Sequence, residues 1–496
     1  MKKKILIIGG GIAGLCAGIY AQQTGFDSVI YEKHSISGGQ CTGWNRNGYH
    51  IDGCVHWLSG TAPNTDMYRM WKNVGAFAPD VKLIQHDDFG TYELCGAKIT
   101  LYKDVDRFRS QLIELSPEDK APIDDFVKCV KTLQGMAMPA AKADDLMSIG
   151  ESLKMLPFAK ALTVIAKYGK MNCRQYADRF KHPALKKLFR SSMPDYAATA
   201  FMFSYATFSS GNGAFPQGGS LAMAKRIEER YISLGGSLRL STPVDSIIVK
   251  DDTAVGIKLE NGETVNGDHV IAACDAEFFF NKLLGGNYND PFFESRFADP
   301  QNFPLPTSVL VGMGVEADLS KYPRQLIFDV EPYTIAKTDF DTAGYTNYFY
   351  APEFAPEGCT MVEQNFKQEG KDYDWWKALS ADKAAYTAEK QRIGELSVSM
   401  FEKRFPELSG KVRLLDVTTP LTYERYCNSY KGAWMSFMPT TKGMGSSFKG
   451  RIKNLKNCWL TGQWLQPPGG LPVAATTGKF TVQYIAKQEG LPIVTD

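Results

Sequence analysis

Residues 4–32 read KILIIGGGIAGLCAGIYAQQTGFDSVIYE, and the rest of the chain is best understood from this stretch. The apolar, β-branched run at 4–8 predicts a short buried strand that stops at glycine. Residues 28–32 (SVIYE) predict a second strand that ends in an acidic side chain. Strand, glycine loop, helix, strand and acid in this order are typical of a Rossmann-type βαβ unit that binds a dinucleotide.

The glycine cluster matches GxGxxG through Gly9, Gly11 and Gly14. In such a loop the first glycine permits a tight turn, the second lets the backbone approach a pyrophosphate, and the third lets helix and strand pack closely. The free N–H groups of the helix N-terminus then face the phosphates. Glu32 stands where an acid accepts hydrogen bonds from a ribose 2′-OH and repels a 2′-phosphate, which argues against NADP.

The helix between the two strands is predicted to be amphipathic, and Gly25 suits its C-cap. Its expected apolar face consists of Ile12, Leu15, Cys16, Ile19 and Tyr20. The alternative for the whole stretch is a glycine-rich turn without a ligand, which the order of the elements disfavours.

Three lysines before the first strand also imitate a secretory signal, but five glycines interrupt the apolar run that such a signal needs.

Composition and charge narrow the class of protein. The chain has 496 residues, enough for two or three domains. Lys plus Arg number 56 and Asp plus Glu 54, a balance that gives no reason to expect a nucleic-acid partner. No apolar stretch reaches about 18 residues, so no transmembrane helix is expected. The ten cysteines form no CxxC pair, which predicts reduced thiols in a cytoplasmic protein without a metal site.

The glycine motif alone fits FAD or NAD, and the segment after Glu32 discriminates between them. EKHSISGGQ (32–40) places Gly38 and Gly39 shortly after the acid. Here the chain resembles the flavoprotein group of monoamine oxidases and phytoene desaturases, in which an acid, a spacer and Gly-Gly-Arg pass along the FAD phosphates. Gln40 stands where arginine is usual, and a neutral amide donates a hydrogen bond without bringing charge. The resemblance implies FAD as the cofactor.

Two distant segments carry the same resemblance. FPQGGSLAMAKRIEERYISLGGSLRLSTPVDSIIV (215–249) has the family's glycine pair, helix, turn and strand, and Val244 matches the position whose backbone meets the adenine. CWLTGQWLQPPGGLPVAATTGKFTVQYIAKQEG (458–490) predicts a strand, a Pro/Gly loop and a helix from about residue 472. In the family this helix N-terminus reaches the flavin, where a positive dipole stabilises reduced flavin. Taken alone, the two segments are also an ordinary helix–turn–strand unit and a surface loop.

The resemblance implies a set of FAD-contacting residues drawn from all three segments. They are Gly9, Gly11, Ile12, Ala13, Gly14, Glu32, Lys33, Gly38, Gly39, Gln40, Val244, Gly462, Gln463, Gly470, Leu471 and Pro472. The expected fold class is α/β, with α+β character in the substrate half. Residues 1–90, 215–300 and 421–496 are predicted to form a discontinuous FAD-binding domain. Residues 91–214 and 301–420 are predicted to form a substrate-binding domain, a helical subdomain plus a sheet.

No second GxGxxG follows a predicted strand, since GMGVEA at 312–317 lacks the third glycine, and no CxxxxC pair occurs. A dedicated NAD(P)H domain is therefore not expected. The electron donor or acceptor is instead predicted to be a visiting molecule, whose identity the sequence leaves open.

The resemblance extends over almost the whole chain and is strongest to the branch of phytoene desaturases, carotenoid isomerases and retinol saturases. YAPEFAPEGCTMVEQNF (350–366) and PLTYERYCNSYKGAW (420–434) fit this branch. It implies an oxidoreductase that removes, adds or rearranges hydrogens on C–C bonds of an apolar polyene, retinoid or lipid. The runner-up is an amine oxidase with an aromatic cage from Tyr426 and Tyr430. A third reading is a non-redox FAD-binding scaffold or isomerase.

The loop GYHIDGCVHWLSG (48–60) contains the candidate catalytic residue. In the family the aspartate-glycine that matches Asp52 and Gly53 leads into a turn near the flavin ring. The following residues depart from the glycine-proline turn of desaturases and include His56. This histidine is able to donate a proton to a carbon next to a hydride-accepting centre. The alternative is a structural histidine that is hydrogen-bonded within the turn.

Two features of the substrate half bear on an apolar ligand. Aromatic residues are dense in two stretches, where they either line a tunnel or form plain core. These residues are Phe201, Phe203, Tyr205, Phe208, Tyr345, Tyr348, Phe349 and Tyr350. SLKMLPFAKALTVIAKYGK (152–170) predicts a basic amphipathic helix with Lys154, Lys160, Lys167 and Lys170. Such a helix either contacts a membrane surface or packs as an ordinary surface helix on the core.

Overall fold

The computed structural model describes residues 2–153, 158–192, 194–443 and 445–496. Its strands are β1 (Lys4–Ile8), β2 (Asp27–Tyr31), β3 (Gly43–Arg46), β4 (Tyr49–Asp52), β5 (Leu58–Ser59), β6 (Leu83–Ile84), β7 (Asp88–Leu94), β8 (Ala97–Tyr102), β9 (Gly213–Pro216), β10 (Ser237–Arg239), β11 (Val244–Lys250), β12 (Thr253–Leu259), β13 (Thr264–Asn266), β14 (His269–Ala272), β15 (Pro306–Val315), β16 (Gln325–Ile335), β17 (Thr338–Asn347), β18 (Thr360–Glu369), β19 (Val412–Thr418) and β20 (Cys458–Leu460). Its helices are α1 (Ile12–Thr24), α2 (Asp66–Asn73), α3 (Val105–Leu115), α4 (Lys120–Leu133), α5 (Ile149–Leu153), α6 (Ala159–Tyr168), α7 (Cys173–Ala177), α8 (Pro183–Ser192), α9 (Ala198–Ser209), α10 (Gly219–Ser233), α11 (Pro291–Phe297), α12 (Gly370–Leu379), α13 (Lys383–Arg404), α14 (Pro420–Cys427) and α15 (Leu471–Gln488).

A parallel sheet in the order β10-β2-β1-β14-β20 joins the start, middle and end of the chain. β1 and β2 pair in parallel with α1 between them, as the sequence predicts. β14 lies on the other side of β1, with His269 opposite Ile5, and β20 adds to β14. Because residues this far apart in sequence share one sheet, the α/β part of the fold is necessarily discontinuous.

Helix α1 is buried on every side, so the prediction of an amphipathic helix is wrong. Every residue from Ile12 to Ala21 is buried, because α1 lies against the sheet while α10 and α15 pack along it. Glycines allow this contact: a Cβ on Gly14 would lie 2.0 Å from the carbonyl oxygen of Gly9, and one on Gly478 of α15 would lie 2.4 Å from that of Ala13. The predicted C-cap is confirmed, since α1 ends at a glycine with φ of 101°.

The opposite face of the parallel sheet is covered by the antiparallel strands β11, β12 and β13. Leu6 and Val29 of the sheet share one hydrophobic core with Val244 and Ile257 of these strands. A parallel sheet needs apolar cover on both faces, and the two layers provide it. Val244 therefore begins β11 at the edge of the nucleotide-binding unit.

The substrate half is built on a seven-stranded sheet in the order β19-β15-β18-β17-β16-β7-β8. Its pairs are antiparallel except for β16 with β7, which is parallel. Helices α12 and α13 cover one face, where Val309 and Val311 share a core with Trp376 and Phe401. The boundary drawn at residue 90 falls inside β7, because β7 completes this sheet before the helical subdomain begins.

GMGVEA, which fails as a nucleotide motif, has a packing role at the junction of the two halves. A Cβ on Gly312 would lie 2.8 Å from Cδ1 of Ile51, and one on Gly314 would lie 2.5 Å from Cζ of Tyr49. Both glycines lie on β15 and both neighbours lie on β4. The missing side chains let the β3–β4 hairpin lie directly on the seven-stranded sheet.

The helical subdomain has its own core, which includes Phe126 of α4, Tyr176 of α7 and Met202 of α9. Segment 152–170 falls on α5 and α6 of this subdomain, and Lys154 lies outside the described residues. Helix α6 buries Ala161, Val164 and Tyr168 and turns its other face outward. Within the described ranges, none of the helices combines the length and apolar character needed to cross a bilayer.

The glycine contact between α15 and α1 generates a stability prediction. Gly478→Ala places a methyl group against the backbone of α1, which has no room to yield, so the free energy of unfolding is expected to fall by about 1–3 kcal/mol. Gly150→Ala in α5 is the matched control, since nothing lies within 4 Å of its added methyl group. Urea unfolding followed by tryptophan fluorescence measures both; equal stability of the two variants would contradict the packing argument.

Candidate active site

A single cavity of about 1980 Å³ runs from the glycine loop, past the loop at 53–57, to the seven-stranded sheet and the helical subdomain. Pockets for drug-sized ligands are typically about 300–1,000 Å³, so this one has room for a dinucleotide and a second molecule. All the predicted cofactor residues line it except Gly14, whose place is behind the loop against Gly9 and Ala273. His56 also lines the cavity.

At one end of the cavity, the N-terminus of α1 is open. Its N-cap, Gly11, offers no side chain to the first N–H groups, and the first turn contains no acid. The Gly38 N–H donates to the Gly10 carbonyl at 2.9 Å, which holds the second glycine pair against the first loop. A Cβ on Gly39 would lie 3.2 Å from the Gly11 Cα, so only glycines permit this approach. The result is a cradle of unsatisfied donors suited to a pyrophosphate.

Glu32 lies beside this cradle and is 7% exposed. Its Oε2 accepts the Gly10 N–H at 2.7 Å and its Oε1 accepts the His34 N–H at 2.7 Å. These bonds hold the carboxylate at the cavity wall, where its remaining lone pairs suit ribose hydroxyls. The neighbouring Lys33 donates through Nζ to the carbonyl of Arg425 at 3.0 Å, so its ammonium is tied to α14.

Gln40 has a different role from the one predicted. Its Nε2 donates to the Ala433 carbonyl at 2.8 Å and to Ser429 Oγ at 3.1 Å, so its amide N–H groups are already used within the protein. Its Oε1 accepts from Gln463 Nε2 at 3.3 Å. Gln40 therefore links the second glycine pair to the C-terminal segment, and this arrangement contradicts an amide aimed at the pyrophosphate.

The C-terminal segment opens a second helix N-terminus on the same cavity. Gly462 and Gly470 have φ of 117° and 89°, and Gln463 Oε1 accepts the Gly470 N–H at 3.2 Å. Helix α15 starts at Leu471, close to the predicted residue 472, with no side-chain cap in the described structure and no acid in its first turn. Its positive end is thus free to stabilise negative charge.

These features together fit FAD. Two uncapped helix N-termini, a ribose-binding acid and a pair of facing glycine loops border a cavity large enough for a dinucleotide. Residues Gly11 to Ala13, Glu32 and Gly38 would hold the adenosine diphosphate, and the segment from Gly462 to Pro472 the flavin end. Among the residues that the structure describes, no cluster of His, Cys, Asp or Glu could hold a metal ion.

The loop that carries His56 is shaped by Asp52. Oδ1 of Asp52 accepts the N–H groups of Cys54 and Val55, both at 3.0 Å, and Oδ2 accepts the Ser220 N–H at 2.7 Å. Ser220 also donates from Oγ to Oδ1. The carboxylate thus turns the chain directly after β4 and anchors the turn to the start of α10, which points the following residues into the cavity.

His56 ends a buried chain of polar groups. Its Nδ1 lies 3.0 Å from the hydroxyl of Tyr348, which lies 2.8 Å from Oε2 of Glu363. Oε1 of Glu363 accepts the Asp52 N–H at 2.8 Å. Burial, and then the negative charge of Asp52, raises the pKa of Glu363 well above its ordinary value. Burial also lowers the pKa of His56, so both shifts favour the uncharged forms of the imidazole and the acid.

The aromatic stretches are divided between tunnel and core. Phe201, Phe203 and Phe208 of α9 line the cavity, whereas Tyr205 is fully buried beside them. The second stretch does not form a wall of the cavity: Tyr345 and Tyr348 are core residues, and Phe349 and Tyr350 lie behind it.

The aromatic cage suggested for an amine substrate is not formed. Tyr426 lines the cavity but packs on the His34 ring at 5.2 Å, next to Glu32 and so at the ribose end. Tyr430 packs against Phe297 at 5.2 Å, inside the core below the parallel sheet. The two tyrosines therefore do not flank one ligand.

Comparison with known proteins identifies the family. The family model of flavin containing amine oxidoreductases matches residues 12–391. The chain belongs to this family. It is an FAD-dependent oxidoreductase, and the resemblance to phytoene desaturases and carotenoid isomerases is confirmed.

This flavin oxidoreductase is 23% identical to a 4,4'-diapophytoene desaturase (4,4'-diapolycopene-forming) of Methylomonas sp., over 98% of this chain and 96% of that protein. It is 22% identical to the chloroplastic prolycopene isomerase of Daucus carota, over 98% of this chain and 80% of that protein. The fold also matches the solved structure of cyclohexylamine oxidase from Brevibacterium oxydans IH-35A, with a TM-score of 0.59 and 14% identity over 99% of this chain and 100% of that one.

The polar residues of β18 were not predicted to belong to the site, although the stretch 350–366 includes part of this strand. Successive side chains of β18 (TMVEQNFKQE) point to opposite faces of the sheet. The face turned away from α12 and α13 carries Glu363, Asn365, Lys367 and Glu369. Asn365, Lys367 and Glu369 line the cavity. The available signal was a predicted strand with a charged or polar residue at every second position. It was overlooked because such alternation usually means a solvent-facing side.

The position of Glu32 predicts the effect of removing its carboxylate. Glu32→Ala is expected to weaken FAD binding about 10- to 100-fold, because charge-assisted hydrogen bonds contribute about 1.5–3 kcal/mol each. FAD titration of the apoprotein measures the Kd. Glu263→Ala, which removes an exposed acid from the hairpin between β12 and β13, is the control and should bind as wild type. Unchanged affinity of Glu32→Ala would exclude the ribose role.

Proposed function

We propose that this oxidoreductase transfers hydrogen at C–C double bonds of an apolar, polyene-like substrate, with His56 as the proton donor. The observation that carries the proposal is the buried chain from Glu363 through Tyr348 to His56, which ends on the wall of the FAD cavity. A bound flavin supplies the hydride in such a reaction. The protein must then supply a proton to the neighbouring carbon and keep water away from the bond.

The walls beyond the His56 loop suit an apolar molecule. Trp57 packs edge-on against Phe89 at 5.5 Å, and Phe89 packs on Phe208 at 5.0 Å, all three on the cavity wall. Leu133 and Val164 of the helical subdomain line the same space. The names of the relatives point in the same direction, since the Methylomonas and Daucus proteins act on diapophytoene and prolycopene, both carotenoids.

The hydrogen-bond chain supports delivery of a proton rather than its removal. The Tyr348 hydroxyl donates to Oε2 of an ionised Glu363. When Glu363 is protonated, a state that its raised pKa favours, the proton lies on Oε2, because Oε1 accepts the Asp52 N–H, and it faces the Tyr348 oxygen. Tyr348 then donates to Nδ1 of His56, which leaves the imidazole proton on Nε2. No described residue accepts a hydrogen bond from Nε2, so this proton is available to a ligand. The arrangement favours saturation or isomerisation over desaturation.

The entrance to the cavity suits a membrane surface. Ile165 of α6 and Phe203 of α9 both line the cavity and are 45% and 43% exposed. Leu162 on the same outer face of α6 is 62% exposed, flanked by Lys160 and Lys167. Exposed apolar side chains bordered by lysines favour contact with an anionic bilayer, from which an apolar substrate would enter. We propose that this face, residues 159–168 with Phe203, is a peripheral membrane contact.

The proton-transfer role predicts a large effect of one substitution. Prereduced wild-type protein is expected to be reoxidised anaerobically by a polyene such as all-trans-retinol, with loss of one double bond. His56→Gln should slow this step about 10²- to 10⁴-fold, because general-acid catalysis contributes that much, while FAD content stays unchanged. His50→Gln, which changes a histidine of β4 outside the cavity wall, should react as wild type.

The pH profile of the same step separates proton transfer from a structural effect. Since the pKa of Glu363 is raised by burial, wild-type rates should fall as pH rises through that raised value. Glu363→Gln should lower the rate and remove this alkaline decline. A wild-type rate in His56→Gln, or no reoxidation of the prereduced flavin by any polyene while amines reduce the oxidised flavin, would refute the proposal.

The membrane contact predicts a second outcome. Leu162→Glu combined with Ile165→Glu should reduce sedimentation with phosphatidylglycerol vesicles by about tenfold or more, because two apolar side chains no longer leave water. Ile232→Glu alters an isoleucine of α10 that is 50% exposed and serves as control. Equal vesicle binding by all three proteins would place the contact elsewhere or exclude it.

A further inference from the structure

An amide and an ammonium group project from β18 into the substrate part of the cavity. Asn365 and Lys367 are two residues apart on one strand, so both side chains point to the same face. That face is opposite to the one on which Val362 and Phe366 pack in the core with Trp376. Both residues line the cavity and are accessible from it. They share the cavity with the apolar wall formed by Trp57, Phe89 and Phe208.

Neither side chain has a partner in the described part of the chain. Lys367 makes no hydrogen bond or ion pair there, and Asn365 makes no side-chain hydrogen bond. The arginines on the same walls differ, because each is matched by a carboxylate. These pairs are Arg174 with Asp195, Arg190 with Asp178 and Arg324 with Asp88. The ammonium of Lys367 therefore has no ion pair in the described residues, and Lys337 and Lys371 on the same cavity share this property.

The surroundings of Lys367 make this charge costly. Burial lowers the pKa of Lys367, since the protein around the cavity replaces much of the water that an ammonium group needs. Glu369, next on the same face, does not come within ion-pair distance and instead caps α12. An unpaired, partly desolvated cation in a ligand cavity is unfavourable unless a ligand completes it.

We propose that the substrate carries a single carboxylate, bound by Lys367 and Asn365, at the end away from the reacting bond. This inference rests on the proposed function and specifies its substrate class as an unsaturated acid. The ammonium supplies a charge-assisted hydrogen bond and the Asn365 amide a second donor.

The geometry also assigns an orientation. Strand residues advance by about 3.3 Å, so the Lys367 Cα lies about 13 Å along β18 from that of Glu363. Glu363 is joined to His56 through Tyr348, and the positive charge of Lys367 contributes to lowering the pKa of His56. A substrate anchored by its carboxylate at Lys367 thus extends its apolar chain toward the proton donor.

The test compares two probes that differ only in charge, all-trans-retinoic acid and its methyl ester. Binding to the FAD-loaded protein is followed by quenching of tryptophan fluorescence. The wild type is expected to bind the acid at least about tenfold more tightly than the ester, which corresponds to about 1.4 kcal/mol. Lys367→Met should bind the acid only as well as the ester, and Lys367→Arg should keep the preference.

Lys98→Met is the matched control, because Lys98 is an exposed lysine on β8 of the same sheet but outside the cavity wall. It should keep the wild-type preference for the acid. In the wild type this preference should decline as pH rises, beginning below the ordinary lysine pKa, because Lys367 loses its charge early. This readout does not depend on how well any variant folds.

Equal binding of acid and ester by the wild type, or an unchanged preference in Lys367→Met, would overturn the inference. The proposed function is judged separately, by flavin reoxidation. Reoxidation by neutral polyenes without any preference for the acid would leave that function standing and remove the carboxylate site. Preference for the acid without reoxidation by any polyene would leave the carboxylate site standing and remove the proposed function.

Discussion

The close contact of α1 with the glycine loop and with α15 is the constraint on which the other features depend. Gly14 and Gly478 bring backbone against backbone, so the helix is buried all round and its N-terminus is held at one point. That N-terminus, left without a cap, needs an anion. Because α15 packs along α1, the second uncapped N-terminus is held in fixed relation to the first. One packing contact thus places both ends of the FAD site.

A second junction connects this site to the substrate half. The β3–β4 hairpin lies on Gly312 and Gly314 of β15, and the Asp52 N–H donates to Glu363 on the adjacent strand. Asp52 also shapes the turn that presents His56. The same few atoms therefore fix the sheet, the loop and the buried acid relative to one another. Burial at this position raises the pKa of Glu363 and lowers that of His56, which favours a protonated acid beside a neutral imidazole.

The cavity combines apolar walls with a limited number of polar groups, as expected of a site that orients one ligand. His56 lies toward the FAD end, whereas Asn365 and Lys367 lie further along β18. Ile165 and Phe203 mark the opening toward the exposed face of α6. An apolar acid that enters from a membrane and reacts near its far end would use all three regions.

The sequence by itself determined the βαβ unit, its acid and the cofactor. These features are local, since strand, glycine loop, helix and strand are adjacent and each has a spacing set by backbone geometry. The role of the segments at 215–249 and 458–490 also followed from the order of their elements, together with a family resemblance. The complete burial of α1 could not be predicted from the sequence. It depends on α10 and α15, which come from distant parts of the chain and pack along α1.

Only the tertiary structure showed the hydrogen bonds of Gln40, Tyr348 and Glu363 and the position of Lys367 on the cavity wall. Gln40 was expected at a phosphate, but its hydrogen bonds depend on a loop some four hundred residues later. Tyr348 was expected either to line a tunnel or to belong to the core, and it is a buried core residue hydrogen-bonded to His56. Charged side chains on alternate strand positions predict a solvent-facing side. In β18 these side chains face the cavity instead, because this strand packs over it. Long-range contacts of this kind leave no local spacing in the sequence, so the partners of these side chains could not be predicted from it.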